Sequence, residues 1–279
     1  MQMKKFSLEN IPFNLSLSLT CGQAFRWRPG DADIWSAPVD GKLWRVRQKG
    51  DVLYYAGAEE EEVVRYFALD IDLEEILADI DRDALIHQAI ERCRGLRILR
   101  QPKWECLVSY ICSSCANIPC IQNRIENLSE KFGSPVGGER FAFPKPEALA
   151  EAAPEDIRAC RTGYRDVYIA DAAKRCAGSD FLERVGTLPY EEAKKALMEI
   201  CGVGPKVADC VLLFSFERYE AVPVDVWIER ILRTKYAGGK SRLSYEKAGG
   251  FTREHFGRFA GYAQEYLFGV REEIVKKGE

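Results

Sequence analysis

The sequence predicts an α+β fold: a small antiparallel β-sheet domain at the N-terminus, followed by an all-helical body that contains a helix-hairpin-helix motif. Three observations predict it. Strand-favouring residues alternate with turn signals over residues 5–57. The apolar period lengthens to a helical one after residue 59. Two helical patterns near residue 200 are joined by Gly202-Val203-Gly204. A chain of 279 residues has room for two domains. They are expected over 1–95 (β-rich, with flanking helices) and 96–279 (helical), with the seam somewhere in 79–100.

Phe25, Trp27, Trp35, Leu43, Trp44, Val46, Val52, Leu53, Tyr54 and Tyr55 are strand-type residues. Pro29-Gly30-Asp31, Asp40-Gly41-Lys42 and Lys49-Gly50-Asp51 separate them as hairpin turns, so 5–57 reads as a meander. The acidic run 59–62 suits a helix first turn, where negative charge complements the dipole. Helical patterns then follow over 73–80, 82–93, 103–116, 118–132, 146–152, 154–160, 165–178, 189–200, 206–216, 225–236, 244–256 and 258–275. The glycine-rich stretch 133–140 reads as a loop.

At 47% hydrophobic and 30% charged, the chain has the apolar content that disordered segments lack. No stretch approaches the ~18 uninterrupted apolar residues of a membrane span. Residues 1–10 carry Lys4 and Lys5 with no apolar segment behind them, so no export signal is readable and an intracellular location is expected. The ten cysteines are then reduced thiols by default. Among them, Cys112, Cys115 and Cys120 have no nearby fourth ligand and read as small packing residues rather than a metal site. The net charge of −3 and pI of about 5.7 exclude a protein that coats nucleic acid by bulk charge. Residues 1–95 sum to −5 and residues 96–279 to +2, so a polyanion would have to meet a local site in the second part.

That site is legible near residue 200. A helix over 190–200 ends at Cys201-Gly202-Val203-Gly204-Pro205, and a second runs over 206–216. The tight hairpin leaves successive backbone N–H groups at the second helix's N-terminus, a natural seat for a phosphate. An ordinary helical hairpin with a glycine cap fits the same residues. Lys206 stands in the first turn, the wrong end of the dipole for a cation. The positive helix end and partial burial favour a neutral amine, the nucleophilic form; the alternative is a solvent-exposed lysine. Asp225 opens the next helix and is either its N-cap or a rigidly placed carboxylate, or both. A lysine nucleophile with a fixed carboxylate suits displacement at a sugar C1′ through an oxocarbenium-like state.

Gly202-Val203-Gly204-Pro205-Lys206-Val207-Ala208-Asp209-Cys210, followed by Val222-Pro223-Val224-Asp225-Val226, resembles the helix-hairpin-helix-GPD DNA glycosylases. More narrowly, the chain is similar to the eukaryotic-type 8-oxoguanine DNA glycosylase/lyases. Cys21-Gly22-Gln23-Ala24-Phe25-Arg26-Trp27, Tyr110-Ile111-Cys112-Ser113-Ser114, Gly163-Tyr164-Arg165 and Gly261-Tyr262-Ala263-Gln264-Glu265-Tyr266-Leu267-Phe268 match further blocks in order. The resemblance implies a monomeric bifunctional enzyme that needs no cofactor and whose partner is duplex DNA containing 8-oxoguanine. Lys206 would be the Schiff-base nucleophile and Asp225 the essential carboxylate. The flipped base would meet the Gly22 carbonyl, stack between Cys210 and Phe268, and bond Gln264 along its Watson–Crick edge. Amides around Gly202, Gly204, Lys206 and Val207 would hold a phosphate. The carbonyls of Met198, Ile200 and Val203 would be the place for a cation. Asn117, Tyr164 and Arg165 would face the opposite base.

The chain departs from the family where consecutive asparagines and an arginine normally read that opposite base. Cys115, Ala116 and Cys120 stand there instead, and Trp227 replaces a usual histidine. The four-cysteine iron–sulfur signature of some relatives is absent from the sequence. Two other readings share the scaffold: a glycosylase for another damaged base, and a non-catalytic module that binds damaged DNA.

Overall fold

The computed structural model describes residues 2–239 and 241–276. Its N-terminal sheet has five antiparallel strands, β1 (Lys4–Ser7), β2 (Arg28–Pro29), β3 (Trp35–Val39), β4 (Lys42–Lys49) and β5 (Val52–Ala56), in the order β1-β5-β4-β3-β2. Val39 pairs with Lys42, leaving Asp40-Gly41 as a two-residue turn. Both turn residues have positive φ (45° and 76°), the mirror-image turn whose twist matches the strands. The acidic run is the start of helix Glu60–Tyr66, closed by a reciprocal capping box between Glu59 and Glu62.

The expected meander is interrupted by a helix, Leu15–Thr20. Its Leu-Ser-Leu-Ser-Leu sequence reads as a strand period. Asn14, however, caps it by accepting from Leu17 N, and Leu15, Ser18 and Leu19 are the residues buried, which is helical spacing. Stretch 133–140, read as a loop, carries a short hairpin of Pro135–Gly137 with Arg140–Phe141. A helix at Phe181–Thr187 was not expected, being short and interrupted by Gly186. The patterns over 154–160 and 225–236 each pass from an α-helix into a wider π-turn, at Arg158–Thr162 and Leu232–Tyr236. The pattern over 258–275 is a single 3-10 turn (Gly257–Phe259), then Ala260–Gly269, then Arg271–Lys276. The break at Val270 has a visible partner: Arg271 Nη1 donates to the Phe268 carbonyl at 2.7 Å, replacing a helical bond.

Two hydrophobic cores form. Trp27, Trp44, Val46, Leu53 and Phe67 belong to the sheet core. Leu73, Ile76, Leu77, Ile80, Ile86 and Ile90 pack with the helical body, so helices Leu73–Ile80 and Ala84–Arg92 join that core although they precede residue 95. The division expected at 95 therefore does not follow the packing. The chain also crosses back: Leu99 belongs to the sheet core, and Cys21 and Phe25 to the helical one.

Polar bonds fix this crossing. Buried Arg97 donates to the carbonyls of Pro12, Ile71 and Ala68, and its backbone N–H donates to Ser18 Oγ. Buried Gln23 donates to the carbonyls of Ser18 and Arg97 and accepts from Leu99 N, all at 2.8–2.9 Å. Its own carbonyl accepts from Gln101 Nε2 and Tyr110 Oη. The loop that presents Gly22 is thus clamped from both cores. No helix among the described residues is long and apolar enough to cross a membrane.

Candidate active site

The hairpin joins helices Tyr190–Met198 and Pro205–Ser215. Gly202 has φ +79°, and a Cβ there would lie 2.2–2.7 Å from the Tyr168 ring. Only glycine fits both the backbone and the ring. Gly202→Ala is expected to cost roughly 2–4 kcal/mol, summing left-handed strain and a forced displacement of Tyr168. Urea unfolding measures it, and a loss of a few tenths would mean that the hairpin deforms freely.

Gly204 is the N-cap, Pro205 follows at the first helical position, and Lys206 and Val207 come next. The amides of Lys206 and Val207 precede the first intrahelical bond, which runs from Ala208 N to the Gly204 carbonyl at 3.0 Å. Gly202 is exposed and Gly204 half-buried, so an anion can reach this terminus. Of the three carbonyls expected to take a cation, that of Ile200 already accepts from Val203 N.

Buried Asp209, one of the hairpin-motif residues, braces the second helix from behind. Its carboxylate accepts from Tyr190 Oη (2.7 Å), Lys194 Nζ (2.7 Å) and Tyr245 Oη (2.5 Å). It ties together helices Tyr190–Met198, Pro205–Ser215 and Tyr245–Phe256. Sequence reasoning gave it no role. A buried carboxylate beside two tyrosines and a lysine is a long-range arrangement that spacing does not display.

Asp225 is the N-cap of Val226–Ile231. Its Oδ1 accepts from Trp227 N (3.0 Å) and Ile228 N (2.8 Å). Both caps fall on one oxygen, and Oδ2 takes no part in them. The side chain is therefore a cap and a held carboxylate at once.

Lys206, Asp225, Gly22, Cys210, Gln264 and Phe268 line one cavity of about 70 Å³. They come from the loop after Leu15–Thr20, from Pro205–Ser215, from the cap of Val226–Ile231 and from Ala260–Gly269. Lys206 and Asp225 also line an adjoining groove of about 460 Å³, with Cys115, Ala116 and Trp227. The two residues stand where pocket and groove meet. Gly22 has φ +98°, and a Cβ there would touch the Phe268 ring at 3.4 Å. The Arg271 guanidinium lies 4.0 Å from that ring's centroid. Burial pushes the Cys210 thiol up to about 12, so it is an uncharged packing surface at neutral pH. Gln264 is 4% exposed, and its Oε1 is buried without a hydrogen-bond partner. At about 70 Å³ the cavity is far below the ~300 Å³ at which ligand clefts begin, so it must widen to admit a base.

The wall also holds Cys21, Tyr110, Phe214, Pro223 and Glu265, for which no role was expected. Tyr110 and Phe214 stack at 5.6 Å and 13°, forming an aromatic slab. Phe214 had only its place in an apolar helix as a signal, and Tyr110 stood in a matched block that gave it no role.

The residues expected to face the opposite base divide. Tyr164 is 54% exposed, a free aromatic surface. Asn117 is exposed but caps Ile118–Phe132 by accepting from Cys120 N at 3.0 Å, which leaves only its amide nitrogen uncommitted to the cap. Arg165 is engaged within the protein. It is 4% exposed, donates to the carbonyls of Ser114 and Thr162, and packs its guanidinium 4.3 Å from the Tyr164 ring. It supports the turn after Lys103–Ser113 and the tyrosine, rather than presenting donors outward. The same turn bears Cys115 (exposed, φ +48°) and half-buried Ala116, with exposed Cys120 beyond. Cys112 is buried, and no cluster of three or more His, Cys, Asp or Glu among the described residues is placed to hold a metal.

Residues 5–107 match the family described as 8-oxoguanine DNA glycosylase, N-terminal domain, and residues 108–248 match the HhH-GPD superfamily of base excision DNA repair proteins. A probable N-glycosylase/DNA lyase of Methanothermobacter thermautotrophicus is 33% identical over 249 residues, covering 80% of this chain and 78% of that protein. An N-glycosylase/DNA lyase of Arabidopsis thaliana is 31% identical over 285 residues, covering 94% and 78%. Among solved structures, Clostridium acetobutylicum 8-oxoguanine glycosylase/lyase, in complex with double-stranded DNA containing cytosine opposite 8-oxoguanine, superposes with a TM-score of 0.89 at 32% identity, covering 98% of both chains. The chain belongs to the HhH-GPD superfamily of base excision DNA repair proteins and carries the N-terminal domain of 8-oxoguanine DNA glycosylases.

Proposed function

We propose that this chain is a bifunctional DNA glycosylase and abasic-site lyase that removes 8-oxoguanine from duplex DNA inside the cell, acting as a monomer. The observation that carries the reading is convergence: Lys206 and Asp225 share one cavity with Gly22, Cys210, Gln264 and Phe268, at its junction with an open groove. The hairpin amides of Gly202, Gly204, Lys206 and Val207 grip the backbone while the lesion turns out of the stack. Cys210 and Phe268 sandwich the base. The unpartnered Gln264 Oε1 accepts from its Watson–Crick edge. The Gly22 carbonyl accepts from N7–H, a donor that 8-oxoguanine has and guanine lacks. Guanine would set lone pair against lone pair there.

In the reaction the bond from C1′ to the base breaks, and the base leaves with the electron pair and gains a proton. Lys206 Nζ forms the new bond at C1′, losing a proton. The Asp225 carboxylate stabilises the oxocarbenium-like charge between these events. The sugar ring opens to a protonated Schiff base. Loss of a C2′ proton then expels the 3′ phosphate by β-elimination, and water releases Lys206.

Sodium borohydride trapping on a duplex bearing 8-oxoguanine tests the proposal, since reduction makes only a Schiff base permanent. Binding without a trapped species would leave a non-catalytic damage-binding module. Trapping only with other lesions would change the substrate.

The opposite strand yields a further expectation. Reading cytosine takes donors and acceptors, and this chain offers Cys115, Ala116 and Cys120, which are poor at both, while Arg165 is engaged with carbonyls. A bidentate base contact discriminates by ~1–3 kcal/mol. The preference for cytosine over adenine should therefore be compressed by roughly ten- to a hundredfold relative to relatives with the full set. Single-turnover excision from four duplexes differing only in the opposite base measures this. A steep cytosine preference would mean that Arg165 swings out on binding.

A further inference from the structure

Glu265 is 2% exposed, lies in the wall of the base cavity, and has a buried Oε1 without a hydrogen-bond partner. It follows Gln264 on helix Ala260–Gly269, and both line the cavity together with Gly22 and its chain neighbour Cys21, whose thiol donates to the Ser18 carbonyl. A buried carboxyl oxygen left unpaired is costly unless something arrives to pair it. None of the roles proposed for the base pocket uses it.

We propose that Glu265 is a specificity-determining residue of the base pocket, whose carboxylate Oε1 accepts an N–H from the extruded base beside the Gly22 carbonyl. The inference rests on the base-excision reading above. The ligand class is the oxidised purines that carry an N–H on the imidazole-derived edge, where intact purines hold a bare lone pair. A carboxylate rewards the donor and repels the lone pair more strongly than a neutral carbonyl does.

The surroundings set when that carboxylate is present. Burial pushes Glu265 up to about 7; the nearby Cys21 thiol and the Arg271 charge oppose this, and Asp225 adds to it. The groups that face it are Cys21 from the Gly22 loop, Cys93 from the end of Ala84–Arg92, Tyr110 from Lys103–Ser113, Cys210 from Pro205–Ser215, Asp225, and Arg271. Burial raises the three thiols and Tyr110, so these stay uncharged near neutrality. Glu265 is therefore the group among them poised to change charge there. Above about pH 7 it is a charged acceptor; below, it carries a proton and accepts only as weakly as a neutral carbonyl.

The test compares two single-turnover rates at each pH: release of 8-oxoguanine, and strand cleavage at a preformed abasic site, which needs no base in the pocket. In the wild-type chain the ratio of excision to cleavage rises as pH passes through about 7. E265L, close in size but with no acceptor, lowers the ratio at high pH by about tenfold to a hundredfold. E265Q keeps a neutral acceptor and gives an intermediate ratio that does not vary with pH. A ratio unchanged in E265L, or excision and cleavage falling together in both variants, would make Glu265 a packing residue and overturn the proposal. A wild-type ratio that falls as pH rises would assign the reading to the protonated acid, which also overturns it. If the wild-type chain releases no 8-oxoguanine at all, the function reading fails instead.

Discussion

Lys206→Gln should abolish base release and borohydride trapping while duplex binding and the fold survive. Lys206 stands one residue past Pro205 in the first turn, half-buried, where pocket meets groove. The amides proposed to hold phosphate belong to the backbone and do not need its side chain. Glutamine keeps much of the length and has no nucleophilic amine, so the C1′ bond cannot form. Removing a cation from the positive end of a helix should leave stability unchanged or raise it by ~0.3–1 kcal/mol. The expected pattern is therefore loss of all chemistry with an undiminished Tm. Lys194 is no substitute, because its ammonium is bound to buried Asp209 at 2.7 Å and it lines neither the cavity nor the groove. Gel trapping, a duplex-binding titration and thermal unfolding on one preparation read all three. A trapped species in the variant would move the nucleophile to another residue.

What was legible beforehand was what local chemistry writes. The hairpin glycines, the first-turn place of Lys206 and the capping position of Asp225 all follow from a few adjacent residues. What was not legible depends on distant partners. Leu15–Thr20 reads as a strand until Asn14 is seen to cap it and Gly95 is seen to accept from Asn14 N. Arg165 looks like an outward donor until the Ser114 and Thr162 carbonyls claim it. Helices Leu73–Ile80 and Ala84–Arg92 look like part of the first domain because chain order suggests it, but their apolar faces meet the second core. Glu265 had no visible signal, since a charged residue at one position of an apolar helix ordinarily faces water. Its burial beside Cys21 is set by how two distant segments close.

Asp225→Asn should separate the two roles that the structure combines in one side chain. Asparagine caps helices as well as aspartate does, and its carbonyl oxygen can accept from Trp227 N and Ile228 N as Oδ1 does now. The fold and Tm should therefore hold. The amide nitrogen would then replace Oδ2, putting a neutral donor where a carboxylate oxygen stood. An oxocarbenium-like centre loses its stabilising charge, and base excision should fall by ~10²–10³. Cleavage at a preformed abasic site should fall less, because its Schiff base forms from an open-chain aldehyde and passes through no such cation. Asp225→Ala removes charge and cap together, so it should slow excision equally and also cost roughly 1 kcal/mol of stability. Single-turnover rates on lesion and abasic duplexes, with urea unfolding of both variants, give the needed comparison. If the asparagine variant excises at the wild-type rate, Asp225 is only a cap. If abasic cleavage falls as far as excision, its charge acts on Lys206 throughout rather than on the departing base.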